Sequence, residues 1–153
     1  MSNVHDDATL SALASDIDSW LADLRQSNPT IEAVDRDVDD PLRWYVRMRG
    51  DEKEHITVWL ALGQRTLRYE AYVMPAPQEN IERVYEHALR RNEKFVGAHF
   101  AIGVEDALFL RGELPVVAVT AAEIDRIIGS MYAYAEQTFP TLIRLGFASK
   151  FDN

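Results

Sequence analysis

Three consecutive segments of alternating apolar and polar residues, joined by very short turns, constrain the fold of this chain most. The segments cover residues 42–49, 55–62 and 66–74, and the turns fall at residues 50–53 and 63–64. Alternate side chains of a strand point to opposite faces of a sheet, so each segment has one apolar face. Turns this short join antiparallel neighbours. The sequence therefore predicts an antiparallel meander with one face buried against a second layer.

Apolar residues at helical spacing predict that second layer. A first helix over residues 10–24 has apolar side chains three and four positions apart, and Asp18 is among those expected to face water. Asp7 or Thr9 can cap the start of this helix. Pro29 ends it, because proline disfavours helical geometry in the residue before it.

Further elements precede and follow the meander. They are a short strand over residues 30–35, a helix over residues 78–91, and a hairpin of strands near residues 97–103 and 107–112. Thr120 caps a long last helix, in which Pro140 is expected to produce a kink rather than an end. The order α-β(3-4)-α-β-β-α predicts an α+β fold, in which an antiparallel sheet packs against helices.

Length and composition bound the domain organisation. At 153 residues, 47% of them hydrophobic, the chain is the size of one domain and can bury a core without disulfides. We expect a single domain over residues 9–147, a flexible tail at 1–8 and a second tail at 148–153. Residues 1–9 lack an apolar run of the signal-peptide type, and no segment is long and apolar enough to span a bilayer. A cytoplasmic location is therefore expected.

Charge and cysteine content exclude several classes of function. The net charge is −9, and residues 1–40 hold ten acidic and two basic side chains, while the remainder is near neutral. Binding to a phosphate backbone needs clustered Lys and Arg, so this acidity argues against nucleic acid and anionic membranes as partners. The chain has no cysteine, which excludes disulfides, thiolate chemistry, zinc fingers and iron–sulfur clusters.

A set of structural positions in the last two thirds of the chain follows a recognisable order. In chain order they are Asn92, Gly97, Phe100, the strand 108–111, Leu114, Pro115, Thr120 and Pro140. This order resembles the YbjN family of small bacterial domains, some of which are labelled sensory transduction regulators. The family shares the fold of type III secretion chaperones. One departure is the segment 104–106 after Gly103, where a simple glycine turn is typical.

The resemblance implies a type III secretion chaperone-like fold and a role in binding other proteins. Chaperones of that fold are usually dimers that hold extended segments of client proteins. The resemblance brings no catalytic motif that could be carried over to this sequence, and it does not imply secretion itself.

The second face of the predicted meander is the candidate partner-binding site. It carries Tyr45, Arg47, Trp59, Arg68 and Tyr72. Aromatic residues and arginine are enriched at the centres of protein interfaces, which favours a dimer or client-binding surface. The preference of Tyr and Trp for strands would also enrich them on a half-exposed face that a helix partly covers. The sequence leaves both interpretations open.

Motifs for catalysis and metal binding are incomplete. Asp35, Asp37 and Asp39 have the alternate spacing of a calcium loop, but Asp40 stands where the loop needs glycine and Val46 where it needs glutamate. The four histidines form no HxH or HxxxH pair, and no GxSxG, P-loop or GxGxxG motif occurs. We therefore predict no catalytic residues, no metal site and no cofactor.

The function that best fits these observations is a non-catalytic, chaperone-like protein-binding module, which could also be regulatory. The expected partners are a second copy of the chain and a client protein that the sequence does not identify. The alternative is a small-ligand sensor or an enzyme with its site in the groove between sheet and helices. A deep cavity with convergent polar groups in that groove would favour the alternative.

Overall fold

The computed structural model describes residues 4–151, which form three α-helices and six β-strands. In chain order these are α1 (Asp7–Ser27), β1 (Ile31–Arg36), β2 (Arg43–Arg49), β3 (His55–Leu62), β4 (Thr66–Met74), α2 (Ile81–Asn92), β5 (His99–Ile102), β6 (Leu108–Pro115) and α3 (Ala121–Gly146). The strands form one sheet in the order β1-β2-β3-β4-β6-β5, and every neighbouring pair is antiparallel. The predicted α+β fold is confirmed.

The meander has the predicted strands, except that the first begins at Arg43 rather than Leu42, and its register is unbroken. The pairs between β2 and β3 run from Arg43 opposite Ala61 to Arg49 opposite His55. One face of the meander is buried, and its members are Trp44, Val46, Met48, Ile56, Val58, Leu60, Leu67, Tyr69, Ala71 and Val73. These are the alternate positions that the period of two assigns to one face, so the hydrophobic pattern sets the register.

Helices cover this buried face and complete a two-layer structure. The buried side of α1 consists of Leu10, Ala14, Ile17 and Leu21. α3 continues through Pro140 to Gly146, and Thr120 caps it by accepting a hydrogen bond from the Glu123 backbone N–H at 3.2 Å. The buried residues of all three helices belong to the same core cluster as the buried sheet face. Apolar burial against one face therefore holds both layers together.

The folded part of the chain extends beyond the boundaries expected from the sequence. Asp6, rather than Asp7 or Thr9, caps α1, and its carboxylate accepts from the Thr9 backbone N–H at 2.8 Å. At the other end, residues 148–150 form a helical turn, and the Ser149 hydroxyl donates to the Glu79 carboxylate at 2.5 Å. Parts of both expected tails are thus structured, while residues 1–3 and 152–153 lie outside the described residues.

The β5–β6 connection shows how this chain replaces the glycine turn. Residues 104–106 form a tight turn, in which Glu105 and Asp106 both have a φ of 58°. This left-handed conformation is costly for most residues, although Asp is among the types that tolerate it. The hairpin therefore closes without glycine at those two positions.

Candidate partner-binding face

The second face of the sheet lies opposite the helices, and we call it the open face. Its central row crosses all six strands, because the register places six residues side by side. From β1 to β5 they are Asp35, Tyr45, Trp59, Glu70, Arg111 and His99. The neighbouring rows contain Arg43, Ala61, Arg68 and Glu113 on one side, and Arg47, Thr57, Tyr72 and Phe109 on the other. All five predicted site residues lie on this face.

Trp59 is the largest exposed aromatic side chain of the open face, with 41% of its surface accessible. Its ring contacts that of Tyr45 edge to face, with 5.1 Å between the centroids. The Tyr45 hydroxyl donates a hydrogen bond to Asp37, which lowers the pKa of that carboxyl and raises the pKa of Tyr45. The hydrogen bond holds the tyrosine ring in place, and the indole packs against that ring.

A second aromatic pair stands on the same face. Tyr72, 43% exposed, contacts Phe109 edge to face at 5.6 Å between centroids. The Lys53 ammonium lies 5.6 Å from the Tyr72 ring centre and 5.5 Å from that of Phe139. Burial lowers the pKa of Lys53, and the nearby Glu136 carboxylate opposes this change. Burial also raises the pKa of Tyr72, with a smaller contribution from Glu105.

The predicted arginines are exposed and form ion pairs within the face. The Arg47 guanidinium donates to the Glu32 carboxylate at 3.2 Å, and Arg49 lies 3.7 Å from the same group. Arg68 lies 3.6 Å from Glu113. Exposed ion pairs of this kind contribute at most about 1 kcal/mol, so a partner can displace them at little cost.

Surface concavities of residues 4–151 include one on the open face and one between two helices. The larger, of about 570 Å³, is on the open face and includes Arg43, Trp59 and Arg68 in its wall. The smaller, of about 420 Å³, lies between the end of α1 and the start of α3. Neither lies in the groove between sheet and helices, where Trp44, Leu60 and Ile127 are fully buried.

The acidic loop before β2 uses its carboxylates to hold its own backbone. Asp37 accepts from the backbone N–H groups of Asp39 and Asp40, at 2.8 and 3.0 Å. Asp40 in turn accepts from Leu42 at 3.0 Å. Within residues 4–151, no group of three or more His, Asp or Glu side chains is arranged to hold a metal ion.

The sequence placed the five site residues on one face; the fold divides four of them between two clusters, and Arg47 pairs with Glu32 instead. Tyr45 and Trp59 touch, Arg68 lines the same concavity as Trp59, and Tyr72 belongs to the second aromatic pair. Sequence reasoning missed the contribution of β6, from which Phe109 and Arg111 join the face. The period of two in that strand indicates that these two share a face, but it does not indicate that β6 lies beside β4.

Comparison with known proteins identifies the family of this chain. The sequence model of the YbjN family, described as "Putative bacterial sensory transduction regulator", matches residues 14–144. The chain belongs to the YbjN family. Within residues 4–151 of this YbjN domain, no helix is long and apolar enough to cross a membrane.

Relatives with sequence similarity come from mycobacteria. A protein of Mycobacterium tuberculosis strain H37Rv, titled an uncharacterized protein, is 35% identical over 104 residues, which cover 68% of this chain and 57% of that protein. A protein of Mycobacterium leprae with the same description is 32% identical over 111 residues, covering 72% of this chain and 60% of its own length. This chain thus matches somewhat more than half the length of these relatives.

A solved structure supports the fold. It is that of the heterodimeric ExoU–SpcU complex from the type III secretion system of Pseudomonas aeruginosa. One of its chains aligns with a TM-score of 0.53 at 14% identity, covering 81% of this chain and 95% of that one. The predicted type III secretion chaperone-like fold is therefore confirmed.

Proposed function

We propose that this YbjN-family domain is a non-catalytic, chaperone-like module that holds a segment of a client protein against its open face. The observation that carries the proposal is Trp59, which stands 41% exposed in the central row of the sheet. A large aromatic side chain in the middle of an exposed face matches the usual position of a binding hot spot.

The arrangement around Trp59 supports binding rather than simple strand preference. Strand preference would account for an aromatic residue that a helix of the same chain partly covers. The helices contribute their buried residues to the core on the other face, and the Trp59 ring rests on Tyr45. A rigid aromatic pair loses little conformational entropy on binding, so it is suited to be an anchor.

The same domain is proposed to form a homodimer through α2, which leaves the open face free for the client. Ile81 and Leu89 are 47% and 67% exposed, and the half-buried Tyr85 lies between them at intervals of four residues. Glu82 is in the first turn of α2 and Arg90 is in the last. Two antiparallel copies of α2 around a two-fold axis would pair these charges and cover the apolar stripe.

We also propose a regulatory role, in which a signal controls the binding of the client. The description of the family as a sensory transduction regulator supports this role. We propose the cytoplasm as the location. The absence of cysteine from the chain is compatible with a reducing compartment.

The test is affinity purification from the native cell with quantitative mass spectrometry of the proteins that co-elute. The wild-type chain is compared with Trp59→Ala and with the control Val117→Ala, which removes an exposed apolar side chain outside the sheet. We expect at least one protein to be lost with Trp59→Ala and retained with Val117→Ala. If Trp59→Ala stays folded and retains every co-eluting protein, the open face is not the client site.

A further inference from the structure

One row of the open face places two arginines on either side of a small residue. Arg43 on β2 pairs with Ala61 on β3, and Ala61 pairs with Arg68 on β4. Neighbouring strands are about 4.8 Å apart, so the two arginine backbones are separated by roughly 10 Å across the alanine. The methyl group of Ala61 leaves space between the two guanidinium groups.

Both arginines have local partners that leave some of their five N–H donors unused, and those of Arg43 are the Tyr45 hydroxyl and the nearby Asp37 carboxylate. The Arg43 Nε lies 3.9 Å from the Asp40 carboxylate, too far for a hydrogen bond, and this buried nitrogen has no hydrogen-bond partner among the described residues. Arg68 lies 3.6 Å from Glu113, and both side chains are more than half exposed. Arg111 differs, because its Nε donates to Glu70 at 2.9 Å.

The two arginines line the same concavity as Trp59. Its volume is about 570 Å³, and its wall also includes Ala61 and Gly112. The site therefore combines two arginines with an exposed indole and two small residues. A carboxylate matches the fork of N–H donors on arginine, and an apolar or aromatic side chain matches the face of the indole.

We propose that the open face binds an extended segment of a partner protein that carries an isolated acidic side chain. A carboxylate side chain of this segment lies between Arg43 and Arg68, and an apolar or aromatic neighbour packs on Trp59. The inference rests on the proposed function and assigns the chemistry of the client. This chemistry fits a protein segment with one isolated carboxylate better than a nucleic acid, because Glu70 and Glu113 in the same wall would repel a continuous row of negative charge such as a phosphate backbone.

The first experiment selects ligands from a random-peptide phage library on the wild-type domain and on an Arg43→Gln/Arg68→Gln double variant. We expect peptides that bind the wild type to be enriched in Asp or Glu next to an aromatic or apolar residue. The acidic preference should disappear on the double variant, while the apolar preference remains.

The second experiment measures the affinity of one selected peptide by calorimetry, beside its counterpart with Gln for every Glu and Asn for every Asp. We expect the acidic form to bind wild type about tenfold more tightly, a difference of about 1.4 kcal/mol. Arg43→Gln and Arg68→Gln should each reduce that ratio. The control Arg83→Gln, on the exposed side of α2, should leave it unchanged.

The outcomes separate the inference from the proposed function. The selected peptides could lack an acidic preference and still fail to bind Trp59→Ala. That result would overturn the acidic chemistry of the client and would retain the open face as the binding site. Failure to select any peptide overturns both. Tighter binding of a single-stranded DNA oligonucleotide than of the acidic peptide, lost in the double variant, overturns the assignment to a protein.

Discussion

Trp59 and Tyr45 stand directly opposite each other on β3 and β2, and their rings meet edge to face at 5.1 Å between centroids. Trp44 precedes Tyr45 on β2, lies on the other side of the sheet and is fully buried. Of the three tryptophans of the chain, these two lie on opposite faces of the same sheet. This contrast makes a matched pair of substitutions informative.

Trp59→Ala should weaken association with the client by at least about 2 kcal/mol while lowering the free energy of unfolding only modestly, because the side chain is 41% exposed. Trp44→Ala should lower the free energy of unfolding by about 3–5 kcal/mol, as expected for a fully buried tryptophan. Urea denaturation of both variants measures the difference. Equal destabilisation by the two changes would show that Trp59 is structural.

Asp18→Ala should destabilise the fold although the residue lies on the helix side expected to face water. Its carboxylate accepts from the Trp44 indole N–H at 2.6 Å and pairs with Arg36 at 2.6 Å. Loss of the acceptor leaves the indole N–H unsatisfied at a cost of about 1–3 kcal/mol. Asp16→Ala, at an exposed position of the same helix, is the control and should change the melting temperature little. Equal effects of the two changes would contradict this role.

Glu136→Ala should loosen the β2–β3 turn. The Glu136 carboxylate accepts from the backbone N–H groups of Asp51, Glu52 and Lys53, at 2.8, 2.9 and 3.0 Å. Amide hydrogen exchange at these three positions should become faster, with a loss of about 1–3 kcal/mol in the free energy of unfolding. Glu136→Gln retains an acceptor oxygen and should have a smaller effect. Unchanged exchange in Glu136→Ala would refute the anchoring.

The wild-type chain should have about twice its 17.4 kDa mass in light scattering at micromolar concentration. Leu89→Glu should give monomers, because it places charge in the apolar stripe of α2. Glu82→Arg and Arg90→Glu should each weaken the dimer, and the double reversal should restore it, since the proposed two-fold axis places these charges opposite each other. A wild-type mass near 17.4 kDa at every concentration would refute the dimer.

Stability should decline as the pH falls below about 6.5, in part because of His87. Burial, and then the charge of Arg91, lower the pKa of His87 in the folded state. The unfolded chain therefore binds the proton first, and stability is lost between the unfolded pKa and the lower folded pKa. His87→Gln should remove this part of the dependence, whereas His5→Gln is the control. An unchanged pH profile in His87→Gln would contradict the assignment.

The carboxyl groups whose pKa is lowered change the stability at a lower pH than His87 does. The two effects on stability can therefore be measured separately. Hydrogen bonds lower the pKa of Asp6, Asp37 and Glu79. Their contribution to the free energy of unfolding is fully present above the pKa of the unfolded state. It is lost as the pH falls through the pKa of the folded state, which takes place below about pH 4.5. A scan from neutral pH to pH 5 therefore reports mainly on histidine.

Local patterns were sufficient to predict the meander and which of its residues share each face. The period of two assigns Tyr45 and Trp59 to one face and Trp44 to the other, and short turns specify antiparallel pairing. Both features depend on residues close together in the chain, so no knowledge of distant contacts is needed.

The amino-acid sequence by itself thus determined the strands, their pairing within the meander and the family. Only the tertiary structure decided that β6 lies beside β4, that Asp18 binds Trp44, and that Glu136 holds a turn up to 85 residues away. The physical reason is that these partners are distant along the chain. A local pattern states which side of an element is apolar, whereas the packing of whole layers selects which polar group meets which donor.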